Sequence, residues 1–166
     1  MAFGGPLTIT TPSDTQVVIT RQFDAPRHLV FACHTQAPLI RRWLNGAEGW
    51  IMTVCEFEPK VGGKYRYEWQ APSGYVMGMG GVIREIEPVE RVVSAEIFDD
   101  DWTGGETVST LIFDEQGSRT TLVNTLNYSS KEARDGALAT PMADGMEFGY
   151  SKLDTVVAEL AAGEGA

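Results

Sequence analysis

The sequence predicts an α+β domain in which a curved antiparallel sheet wraps around one long C-terminal helix, with two short helices after the first strand. Three observations predict it. Residues 63–70 alternate strictly, Tyr65, Tyr67 and Trp69 on one face and Lys64, Arg66, Glu68 and Gln70 on the other. That is the period of a strand with one wet and one buried face. From residue 141 to 162, Met142, Met146, Tyr150, Leu153, Val157 and Leu160 recur at three or four, the stripe of an amphipathic helix of about five to six turns. Strands outnumber helices, and this helix is the only element large enough to cover their shared apolar face.

Residues 1–14, rich in Gly, Pro, Thr and Ser, are expected to lie loose as a flexible N-terminal segment. A single domain is expected over residues 15–162, and a frayed tail over 163–166. Gln16 to Phe23 reads as the first strand, with Val17, Ile19, Arg21 and Phe23 on one face. Asp24-Ala25-Pro26 reads as a helix start, an acceptor for the cap followed by a first-turn proline. Leu29, Val30 and Cys33 form the stripe of that short helix. Pro38 restarts a second, with Leu39 and Trp43 four apart on one face and Asn45-Gly46 closing it.

Ile51 to Glu58 reads as the next strand, ended by Pro59. The Gly62-Gly63 pair turns the chain into the aromatic strand. Pro72-Ser73-Gly74 is a hairpin signal. Tyr75 to Glu87 contains Gly78, Gly80 and Gly81, which mark a bulge or a close approach to the backbone. Arg91 to Phe98 follows, its inner face expected to be Val93, Ala95 and Ile97. Asp99-Asp100-Asp101 is expected to be a solvated loop, with a weak calcium site as the alternative. Glu106 to Phe113 and Arg119 to Tyr128 form a hairpin. Ser129 with Glu132 matches a capping box for a short helix before Pro141.

The composition, 43% hydrophobic and 22% charged, is that of an ordinary globular chain of 166 residues. A net charge of −10 disfavours nucleic acid and anionic membrane surfaces, both polyanions, as partners. Cys33 and Cys55 form no C-x-x-C pair; a lone disulfide is one arrangement, and two packed, reduced thiols are the expected one. Met1 to Thr15 has neither the basic nor the apolar region of a signal peptide, and no apolar run is long enough to cross a membrane. The expected location is cytoplasmic.

Particular residues, in this order, resemble the START-like SRPBCC superfamily of helix-grip proteins. Within it the chain is similar to the branch named after homologues of the activator of the heat-shock-protein-90 ATPase. The residues are Phe23-Asp24-Ala25-Pro26 and Trp43, then Val61-Gly62-Gly63-Lys64-Tyr65-Arg66-Tyr67, then Gly81-Val82-Ile83-Arg84-Glu85-Ile86-Glu87-Pro88 followed by Arg91-Val92-Val93. The last match is Ser130-Lys131-Glu132-Ala133-Arg134-Asp135, running on to Met142 and Gly145. The chain departs from the pattern at Pro141, where such sequences often carry glycine. The resemblance implies a helix-grip fold with a cavity between sheet and long helix. Across the superfamily that cavity takes apolar ligands and, in some members, supports cyclase or hydrolase chemistry. The branch name adds a chaperone ATPase as an alternative partner.

Tyr65, Tyr67 and Trp69 suit either a tight core or the wall of such a cavity, in which Met77, Met79, Met142 and Met146 would supply soft, adaptable apolar surface. With Trp43, Asn124 and Tyr150 they make the expected ligand-binding set, the ligand being an apolar or aromatic small molecule. Asn124, between Leu122 and Leu126, needs a polar partner if its face is inward. Gly145 and Gly149 each cost about 1 kcal/mol against alanine inside a helix, which close helix contact or cavity volume would offset. His28 and His34 do not form a metal cluster. No G-x-S-x-G, P-loop or Rossmann fingerprint occurs, so no catalytic residue, metal or cofactor is assigned. Acid–base chemistry would fall to Glu56, Glu85 or His34 if one of them entered the cavity.

Overall fold

The structure, a computed structural model, describes residues 6–100 and 105–164. After β1 (Thr8–Thr10) and β2 (Gln16–Phe23) come α1 (Arg27–Thr35) and α2 (Ala37–Trp43). Six strands follow: β3 (Ile51–Phe57), β4 (Lys64–Gln70), β5 (Val76–Glu87), β6 (Arg91–Phe98), β7 (Thr107–Gln116) and β8 (Arg119–Asn127). The chain then forms α3 (Lys131–Leu138) and the 23-residue α4 (Met142–Glu164). The strands form one antiparallel sheet in the order β1-β2-β8-β7-β6-β5-β4-β3. Register shifts between Met52 and Val54 and between Ile83 and Glu85 mark irregularities of the kind that bend and twist a sheet.

The two sequence periods explain the main contact. Val17, Ile19, Arg21 and Phe23 of β2 lie on the same face as Leu122 and Leu126 of β8, and all six are buried. Tyr150, Leu153 and Val157 of α4 close over that half of the sheet, with Phe23 edge-on to Tyr150 at 5.4 Å. Pro141 stands just before α4, where its missing N–H removes no helix bond, and its carbonyl accepts from Gly145 N–H at 3.1 Å. Cys33 and Cys55 are both buried and free.

Four local expectations change. The N-terminal segment is not wholly loose: Thr8–Thr10 pairs with Val18–Thr20, and Leu7 N–H donates to Glu147 Oε1 at 3.0 Å. At the other end Gly163 and Glu164 continue α4, and Glu164 lies 2.9 Å from His28 Nε2. Pro26 is the N-cap of α1 with no side-chain cap, and the cap of α3 is Ser130, whose Oγ accepts from Ala133 N–H at 3.0 Å. Thus Ser129 and Glu132 do not frame that turn.

The fourth correction bears on function. The register pairs Gly81 of β5 with both Tyr65 of β4 and Glu96 of β6. The inner face of β6 is therefore Val92, Ser94, Glu96 and Phe98, not Val93, Ala95 and Ile97. Ile97 is 48% exposed on the outer face. Apolarity alone points to the other phase because Val93 and Ala95 are also buried.

Candidate functional site

Strand β4 presents its aromatic row inward, each residue 6–7% exposed, with ring centroids 5.3 Å apart from Tyr65 to Tyr67 and 5.9 Å from Tyr67 to Trp69. At one end of the row Trp69 Nε1–H donates to Leu44 O at 2.7 Å, which fixes the indole against the end of α2. Trp43 Nε1–H likewise donates to Cys33 O at 2.8 Å, and its ring stacks on Tyr150 at 5.8 Å. Both indoles thus spend their only donor on the backbone and turn apolar surface towards the space between them.

That space is an apolar hollow of about 280 Å³ bordered by Trp43, Trp69, Met77, Phe148, Gly145 and Gly149, with the loop after α2. The two glycines differ in role. A Cβ on Gly149 would meet Trp43 O at 3.5 Å, so this residue lets α4 pass close to α2. A Cβ on Gly145 would meet nothing within 4 Å, so here the absent side chain leaves open volume. Beside the hollow lies a more open basin of about 490 Å³, reached by Arg41, Glu48 and Lys152. Lys152 is tied to Asn45 Oδ1 and to Gly46 O (2.9 Å), holding α4 to the loop that separates the two. The smaller hollow adjoins the inner aromatic face, whereas the larger is a surface depression.

Of the sequence-predicted residues, Trp43, Trp69 and Met77 border the hollow. Tyr65, Tyr67 and Met79 continue the same wall inward, Met79 opposite Tyr67. Tyr150 packs between Phe23 and Trp43. Met142 and Met146 are partly buried against the core without bordering the hollow. Asn124 is inward and buried, and its Oδ1 accepts from Ser109 Oγ at 2.9 Å, so a neighbouring side chain is its partner. Leu44, Trp50 and Phe148 also border the hollow and have no periodic signal in the sequence that would single them out.

Among the acid–base candidates Glu56 and Glu85 are exposed and do not enter the interior. His34 does: its ring lies 4.9 Å from Trp43 and 5.4 Å from Phe113, and its Nδ1 is 2.8 Å from Val30 O. Burial lowers its pKa to about 4, so it is neutral at pH 7. On the sheet, Glu96 is a carboxyl that faces inward. Burial pushes it up to about 7, only partly opposed by the hydroxyl of Tyr65 at 3.3 Å. Burial also raises the phenols of Tyr65, Tyr67 and Tyr128, Tyr128 to about 12.

Asp99 is held by Arg66 at 2.5 and 2.7 Å, and Asp100 by the hydroxyl of Tyr75. Asp101, the third member of the acidic run, lies outside the described residues. Among the described residues no group of three or more His, Cys, Asp or Glu is placed to hold a metal ion, and no helix is long and apolar enough to cross a membrane.

Comparison with known proteins agrees with this geometry. A protein from Rhodobacter sphaeroides has a crystal structure that superposes with a TM-score of 0.88, at 35% identity, over 93% of this chain and 99% of its own. A protein from Mycobacterium smegmatis shares the fold at a TM-score of 0.79 and 19% identity, over 92% of this chain and 97% of its own. One from Arthrobacter aurescens does so at 0.79 and 22%, over 92% and 91%. No functionally curated protein matches the chain. The model of the family described as "Activator of Hsp90 ATPase homolog 1-like protein" matches residues 24–158, and the chain belongs to that family, with its helix-grip fold.

Proposed function

We propose that the protein binds an apolar or aromatic small molecule between its sheet and the N-terminal half of α4. The observation that carries this reading is the hollow of about 280 Å³ whose border is Trp43, Trp69, Met77 and Phe148, with open space where Gly145 has no side chain. Its volume is just under the roughly 300 Å³ at the low end of small-molecule pockets, so the ligand is small. A cavity of roughly 150 Å³ holds benzene, which sizes this one for one or two rings. The unbranched Met77 lets the wall adapt to ligands of different shape. Native mass spectrometry of the purified protein, with solvent extraction, tests the reading. Bound mass of a small apolar compound is the expected result; no adduct with any compound of an apolar library would overturn it.

A second reading, a module acting on a chaperone ATPase, is suggested by the family description. It is favoured by the exposed Val82 and Ile97, which lie diagonally across β5 and β6 on the outer face and are 41% and 48% accessible. It requires a change in chaperone ATP turnover on mixing, lost in the Val82→Ser/Ile97→Ser variant. Unchanged turnover at micromolar excess removes it.

A further inference from the structure

The inner face carries a polar group that an apolar pocket does not need. Across four strands the register aligns Tyr65, Gly81, Glu96 and Thr107. Because Gly81 has no side chain, the Tyr65 ring lies directly over it: a Cβ there would be 2.4 Å from Tyr65 Cζ and Oη. The hydroxyl of Tyr65 thereby reaches across β5, to 3.3 Å from both Glu96 Oε2 and Ser94 Oγ. A phenol has one proton, so it donates to one of these at a time.

On the far side of Glu96, the hydroxyl of Thr107 has no hydrogen-bond partner among the described residues, although Thr107 is only 3% exposed. Leaving a buried hydroxyl unpaired is costly, so the site is incomplete as it stands. Glu96 accepts from the Tyr65 hydroxyl, and no described cation contributes to its electrostatics. Burial dominates its titration, and its side chain keeps partial exposure.

We infer that Glu96, with the hydroxyls of Tyr65 and Thr107, forms a polar subsite that takes the protonated amine of an otherwise apolar ligand. The inference rests on the function proposed above for the ligand's apolar body. An ammonium group brings three donors, and Glu96, Thr107 and the Ser94–Tyr65 pair offer three acceptors at neighbouring register positions. A net charge of −10 draws cations towards the protein and repels a ligand ending in a carboxylate. The row from Tyr65 through Tyr67 to Trp69 runs along the inner face of β4 from this subsite to the border of the hollow.

Three ligands that differ only in head group test this by isothermal titration at pH 8: 4-phenylbutylamine, 4-phenylbutan-1-ol and 5-phenylpentanoate. The amine is expected to bind about tenfold more tightly than the alcohol, a modest value for a close charge pair. The carboxylate should bind most weakly. In Glu96→Gln the preference for the amine over the alcohol should disappear. Thr107→Val, which removes one acceptor without touching the charge, should lower the preference part of the way and serves if Glu96→Gln does not fold. Equal binding of amine and alcohol by the wild type would overturn the amine subsite and leave the apolar pocket standing. An undiminished preference in Glu96→Gln would overturn it too. Failure of all three to bind would overturn both.

Discussion

Arg21 of β2 and Asp154 of α4 meet in a two-pronged pair, Nη1 to Oδ1 at 2.8 Å and Nη2 to Oδ2 at 2.9 Å. Glu147, two turns earlier on the helix, accepts from the same guanidinium at 3.0 and 3.2 Å. Arg21 is 3% exposed, and its guanidinium sits 5.0 Å from the Phe23 ring and 5.9 Å from that of Tyr150. Burial works to lower its pKa, but the hydrogen bonds it donates to Asp154 and Glu147 outweigh that and hold it above the usual arginine value. The cluster pins the middle of α4 to the sheet, and the turn that carries Gly145 stands beyond it, over the hollow.

Breaking the pair on one side should be far worse than replacing both members. Arg21→Ala leaves Asp154 buried without its cation and should cost about 3–5 kcal/mol, read from urea unfolding. Arg21→Met/Asp154→Leu, which removes both charges at similar volume, should lose much less than either single variant. A double variant as unstable as Arg21→Ala would mean that packing, not the charge pair, is what holds the helix here.

His34 should make the protein acid-sensitive over a defined window. Its pKa falls from 6.5 unfolded to about 4 folded, chiefly by burial. Below pH 6.5 the unfolded chain takes up a proton that the native state refuses until about pH 4. The stabilisation is thus full above pH 6.5 and is lost as pH falls towards 4, by up to roughly 3 kcal/mol. In His34→Gln, whose amide can still donate to Val30 O, that part of the slope should vanish from a plot of stability against pH.

Glu96 acts with the opposite sign. Its folded pKa of about 7 lies above the ordinary 4.5, so its contribution is full below pH 4.5 and is lost as pH rises through 7. The titratable groups in its field are Tyr65, Tyr67 and Tyr128, all raised by burial and neutral throughout this range. Glu96→Gln should therefore gain stability relative to the wild type between pH 5 and pH 8, seen as a growing difference in melting temperature. A constant difference would show that Glu96 titrates as an exposed carboxyl.

Two glycine-to-alanine changes should go in opposite directions. In Gly81→Ala the new Cβ meets the Tyr65 ring at 2.4 Å and the Ala95 carbonyl at 2.5 Å, and backbone cannot step aside. A loss of about 1–3 kcal/mol is expected, with the Tyr65 ring displaced from Glu96. In Gly145→Ala nothing lies within 4 Å and the backbone is helical, so a gain of up to about 1 kcal/mol is expected. Thermal melts of the two variants check both signs.

The sheet's inner aromatic wall and the long helix were legible because each carries an unbroken period, two for Tyr65-Tyr67-Trp69 and three to four from Met142 to Leu160. The same alternation puts Arg21 on the inner face beside Ile19 and Phe23. Its partner Asp154 was not legible, because an acidic residue next to Leu153 reads as the wet side of the helix until the fold supplies the arginine. The phase of β6 was misread for an instructive reason. Val93, Ala95 and Ile97 look like an inner face because apolar residues belong in a core, and the true inner face is polar at Ser94 and Glu96, the place where local patterning gives way to a candidate site. Strand β1 has three residues and no period long enough to detect, and Leu44, Trp50 and Phe148 come together at the hollow only through the path of the loop after α2.

The most direct test of a ligand space under α4 is the binding of N-phenyl-1-naphthylamine, a neutral aromatic fluorophore, to the wild type and to Gly145→Leu. Gly145 borders the hollow and a Cβ there meets nothing within 4 Å, so a leucine at this position has room to occupy the hollow. The expected result is saturable, one-to-one fluorescence enhancement in the wild type, lost in Gly145→Leu while its melting temperature is kept or raised. Saturable binding of equal strength in both proteins, or none in the wild type, would contradict a ligand site at this place.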